Sequence, residues 1–136
     1  MRFNLIKYIE AVLALYAASV GMVMLGFPAQ LDHQVYAPWH RLGVAAWGVV
    51  LVTISVLHLS ALILNGRNRI ISRTLRAVAN SSHLYLSIHF AMMFAQSSAA
   101  WGVLTFGILV PGLVLPIAAS TIIDAMDAVH VRRCNA

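Results

Sequence analysis

Apolar positions dominate this chain in four long runs, and the polar positions between them form short clusters rich in arginine. The run that organises the rest is Gly43 to Leu64, GVAAWGVVLVTISVLHLSALIL, 22 residues without a formal charge. Roughly 20 such residues are needed to cross a hydrocarbon core about 30 Å thick. A helix also satisfies its own backbone hydrogen bonds, which lipid cannot do for it. The first run, Leu5 to Phe27, ends at Pro28. In the third, His83 to Phe94 is too short to cross alone, so the helix is extended backwards through Leu75 or Ala77 and ends near Gln96. In that extension Arg69, Arg73 and Arg76 share one helical face, and Ile71, Leu75 and Val78 the opposite one. The fourth run, about Gly102 to Ile123, contains Pro111 and Pro116, which remove backbone donors and bend or loosen a helix. The pattern predicts an all-α polytopic membrane protein, a single four-transmembrane-helix bundle over residues 1–136. Its helices are expected at about 5–27, 43–64, 70–97 and 102–123, with 28–42 as an external loop lying on the membrane surface.

Composition agrees with that class. Hydrophobic residues make up 61% of the chain and charged ones 10%, against about a quarter charged in an ordinary soluble domain. A length of 136 residues leaves no room for a separate soluble domain beside four crossings. The net charge of +5 sits in short flanks between apolar runs, where orientation and anionic headgroups explain it without nucleic acid. Lysine and arginine fall eight on one side (Arg2, Lys7, Arg67, Arg69, Arg73, Arg76, Arg132, Arg133) and one on the other (Arg41). Positive residues stay inside, so both ends are expected in the cytoplasm. The apolar N-terminal run outlasts a signal peptide and lacks a clear cleavage site, which makes it a retained first helix. Cys134 is alone, so no intramolecular disulfide forms.

Candidate chemistry is sparse. Arg67, Arg69, Arg73, Arg76, Arg132 and Arg133 are expected at lipid headgroups, with Tyr36, Trp39 and Trp101 as interface anchors. Glu10 lies three residues beyond Lys7, close enough to pair with it on one helix face; the alternative is a proton-relay carboxylate, because intramembrane acids are functional candidates. Ala17 and Gly21, four apart, and Gly43 are the candidate helix-packing residues. His58 stands about 9 Å from the inner end of its helix at 1.5 Å per residue. His83 or His89 reaches the same depth, according to where the third helix enters. Two imidazoles at one level could hold a b-type haem or hydrogen-bond to neighbours in the bundle. His33 and His40 have no evident further ligand beyond Asp32, so no metal site is expected. Paired carboxylates, a nucleophilic triad, a phosphate loop and a metalloprotease helix are all missing, and no enzyme activity is expected.

Tyr36 in the external loop, Trp47-Gly48 early in helix two, Leu59 to Leu62 before Asn65-Gly66-Arg67, and Arg76-Ala77 leading into helix three carry a resemblance. On these residues the chain is similar to the small four-helix membrane proteins encoded by tailed bacteriophages and prophages. The resemblance implies a phage-related protein acting in or on the bacterial inner membrane, and brings no catalytic residue with it. The expected function is non-enzymatic: self-association in the lipid bilayer as a homo-oligomer or as a subunit of a larger membrane or virion assembly. Holin-like permeabilisation or a membrane-active virion component would result, with no cofactor. One alternative is a b-haem-binding anchor subunit of a respiratory complex using His58 with His83 or His89. Another is a superinfection-exclusion partner of a host membrane protein.

Overall fold

The computed structural model describes residues 5–31, 40, 42–64, 69–96 and 103–134, and among them the chain is helical with no strand. Helix α1 covers Leu5–Gly26, α2 Val44–Ile63 and α3 Arg69–Gln96. The last helix opens with a π-helical turn, Thr105–Leu109, and continues as α4, Val110–Cys134. Three segments are long and apolar enough to cross a membrane: Leu5–Gly26, Val44–Ile63 and Thr105–His130, with mean hydropathies of 1.8, 2.1 and 2.2. They suggest a membrane protein. α3 falls outside that group because polar side chains run along one of its faces.

Local chemistry sets the helix ends. Pro28 has no N–H to continue α1, whose closing bond runs from Phe27 N to Val23 O at 2.9 Å. Gly43 takes the N-cap of α2 with φ +85°, a left-handed conformation that residues with a Cβ resist. That is its role: a Cβ there would meet nothing within 4 Å, so Gly43 is a turn residue and not the helix contact expected of it. Pro111 cannot donate to the carbonyl four residues back, and its ring would press on it. The turn before it widens to π geometry, with Val110 N donating to Thr105 O. α4 then runs on to Cys134, past the expected end near Ile123, because no glycine or proline interrupts Ile117 to Cys134.

Neighbouring helices run in alternate directions. Gly21 late in α1 meets Gly48 early in α2, Ala61 late in α2 meets Ser72 early in α3, and Phe94 late in α3 stacks on Phe106 ahead of α4. α1 packs chiefly on α2 and α3 on α4, and the seam between α2 and α3 joins the two pairs. The α1–α2 contact rests on paired glycines. A Cβ on Gly21 would stand 2.9 Å from the Gly48 carbonyl oxygen, and one on Gly48 2.8 Å from that of Gly21. Ala17 and Gly21 are buried as expected of packing residues, and the partner of Gly21 on α2 is Gly48.

Large apolar side chains such as Leu15, Val56, Ile88 and Leu113 cover the outside of the bundle. Its interior divides in two. Towards the Gly21–Gly48 contact lies an apolar core of Met24, Val44, Trp47, Leu86, Phe90, Met93 and Phe94. Phe106 joins it, edge-on to Phe90 at 5.7 Å and stacked on Phe94 at 5.5 Å between centroids. Towards the other end the interior is polar.

Candidate functional site

The polar end is assembled around Glu10, which α1 turns fully inward. An isolated carboxylate there would be far too costly to keep ionised, so it has to be paired. Its partner is Arg76 on α3, 66 residues along the chain rather than three. The guanidinium grips the carboxylate through Nε, 3.2 Å from Oε1 and 3.1 Å from Oε2, and through Nη2, 2.7 Å from Oε2. This is the fork geometry in which arginine binds a carboxylate best. Asn80, one turn further along α3, donates from Nδ2 to Glu10 Oε1 at 2.7 Å and to Thr121 Oγ1 of α4 at 3.5 Å. Thr121 in turn donates to a carbonyl of its own helix, Ile117 O or Ala118 O, each at 3.0 Å.

α2 contributes His58, also fully buried, with Nε2 3.9 Å from Glu10 Oε1. Its ring lies 5.3 Å from that of His83 on α3, tilted by 39°. Four helices thus converge on one carboxylate and one pair of imidazoles. Among the described residues, both ring nitrogens of His58, Nε2 of His83 and Oδ1 of Asn80 are buried without a hydrogen-bond partner, as is Trp47 Nε1 in the apolar half. A small cavity of about 30 Å³ adjoins His83, with Ser87, Tyr16, Phe90 and Phe106 on its wall.

The expected histidine pairing resolves in favour of His83. His89 stands apart, stacked on Tyr85 at 6.0 Å and 5.1 Å from Trp47. A haem ligated on both faces needs its macrocycle between the two imidazoles. Rings 5.3 Å apart beside a cavity of about 30 Å³ leave no room for one, so His58 and His83 do not fit that group in this arrangement. Among the described residues no three His, Cys, Asp or Glu side chains gather as metal ligands do.

Arg76 is the clearest departure from expectation. It is buried at the heart of the cluster rather than extended to lipid headgroups. Part of the first half of α3 is turned with it: Ser72 and Arg76 face the interior, Ile71 and Val78, from the opposite stripe, are exposed, and Leu75 of that stripe is half-buried. Arg73 is half-buried and its Nη1 donates to the Asp124 carbonyl of α4 at 3.4 Å. Arg67, Tyr36, Trp39 and Trp101 lie outside the described residues, as do the side chains of Arg69, Arg132 and Arg133.

Asn80 and Thr121 were not singled out by sequence reasoning, although a signal for Asn80 exists. Ser72, Arg76, Asn80, His83 and Ser87 repeat at four, four, three and four residues, one continuous helical stripe that Phe90 and Phe94 extend. Thr121 has no comparable mark. No protein-family model, curated protein or solved structure matches this chain.

Proposed function

We propose that all four helices cross the bilayer, with both ends on the cytoplasmic side, and that the chain acts without covalent chemistry, self-associating and permeabilising the membrane in the manner of a holin. The observation carrying this reading is the inward orientation of hydrophilic side chains from all four helices, Glu10, His58, Arg76, Asn80 and Thr121, beneath an apolar exterior. A closed bundle of that kind accumulates in lipid without exposing polar groups. When bundles associate and their helices part, the same side chains supply a surface that water can wet. The arginine asymmetry between the two ends supports the orientation, and the phage resemblance supports the setting.

Induced expression in bacteria carrying a membrane-potential dye tests it. An abrupt collapse of potential once the protein has accumulated is expected. Sustained growth at high membrane levels of the protein, with the potential intact, would overturn the proposal.

A further inference from the structure

Buried polar groups are almost always hydrogen-bonded, and those that look orphaned in a protein interior usually meet water. Here four such atoms, two on His58 and one each on His83 and Asn80, gather at one level of the bundle. Each left dry would bear the full desolvation penalty of its group. The neighbouring cavity has His83 and Ser87 on its wall and a volume of about 30 Å³, room for about two water molecules. Phe90 and Phe106 line it as well, and Phe94 stacks on Phe106. Leu13, Val20, Leu51 and Leu86 make most of the rest of its wall apolar, so that the cluster reaches it only through His83.

We propose that the bundle encloses a hydrated chamber between His58, His83 and Asn80, which meets this cavity at His83, and that Phe90, Phe94 and Phe106 form the dry barrier that ends it. The chamber follows from geometry alone. The barrier's part in permeation rests on the permeabilising function proposed above. Water occupies the positions where His58, His83 and Asn80 lack partners and links α2 to α3. The aromatic stack leaves it nowhere further to go, because rings at 5.5–5.7 Å exclude a continuous file of water.

Water-edited solid-state NMR of the full chain in lipid bilayers reads the chamber directly. Magnetisation from water should reach the side-chain nitrogens of His83 and Asn80 early, while the ring carbons of Phe94 stay dark. Ser87→Val and, separately, Leu13→Phe fill the cavity wall and should abolish early transfer to His83. Dark His83 and Asn80 nitrogens in the unmodified chain would overturn the chamber, whatever the variants do. Phe90→Ala and Phe94→Ala, reconstituted in vesicles holding a pH-sensitive dye, should leak protons faster than the parent. Equal rates would overturn the barrier. A lit chamber in a protein that never depolarises cells would leave the hydration site standing and remove the permeabilising function, so the two failures are told apart.

Discussion

At the level of Glu10 the helices meet through charge and hydrogen bonds, and at the level of Phe94 the same helices meet through stacked rings and paired glycines. Lipid tails are as apolar as leucine, so neither level gains from hiding apolar surface from water in the way a soluble core does. The apolar half coheres through close packing, which weakens by degrees as contacts are lost. The polar half coheres through electrostatics in a low-dielectric interior, where a complete network is strong and an incomplete one is worse than none. A single deletion should therefore be felt as a collapse at one level and as a loosening at the other.

The largest effect is expected from Arg76→Ala, which strands the Glu10 carboxylate inside the bundle. Breaking a buried pair from one side costs about 3–5 kcal/mol, read as a fall in unfolding free energy in detergent by circular dichroism. Glu10→Leu combined with Arg76→Leu should recover most of that loss, since removing both charges leaves nothing uncompensated. If the double variant were as unstable as the single one, packing rather than charge would explain the level of Glu10.

Next in size is the cost of a charge on the outside. Ile88 sits on the exposed side of α3, 47% accessible, roughly level with the cavity and the aromatic stack. If α3 crosses the bilayer, Ile88→Arg meets lipid and costs about 2.5–3.5 kcal/mol near a helix centre, visible as a drop in the membrane-inserted fraction. The same change would be harmless if α3 lay in water, so this variant decides whether the bundle has three crossings or four.

The difference between the halves also explains what could be read in the sequence. Helix positions follow from apolar run length, and Pro28 and Gly43 mark α1 and α2 nearly to the residue. The direction of α3 was misleading because the amphipathic rule assumes water outside: its arginine stripe is expected outward and its apolar stripe inward. In the bundle Ile71 and Val78 take the outside while Arg76 goes in, because the buried Glu10 carboxylate requires a partner there. Glu10 illustrates a second limit. Lys7 is its obvious partner at helical spacing, whereas Arg76 is 66 residues away and is found only once α1 and α3 are brought together. The histidine level, by contrast, was legible from depth alone, although depth could not choose between His83 and His89.

In the apolar half the expected changes are smaller and differ in sign between glycines. Gly48→Ala puts a methyl 2.8 Å from the Gly21 carbonyl oxygen, a backbone atom that cannot swing away. Overpacking of that kind costs about 1–3 kcal/mol. Gly112→Ala on α4 meets nothing within 4 Å, and should be neutral or gain up to about 1 kcal/mol from helix propensity. Equal losses at both positions would show that the α1–α2 crossing is no tighter than the rest of the bundle.

The smallest effect tests the polar half where it involves no charge. Ser72 donates from Oγ to the Ala61 carbonyl at 2.8 Å, one of the last four carbonyls of α2, which lack a partner within their own helix. Interhelical bonds of this type average about 0.6 kcal/mol in membranes, because the separated helices find other partners. Ser72→Ala should therefore lower unfolding free energy by about that much, well below the loss at Arg76. A penalty near that of Arg76→Ala would mean that every polar contact in this half is coupled to the ion pair, so that the network stands or falls as one unit; a small one confines the all-or-none behaviour to Glu10 and the groups that touch it.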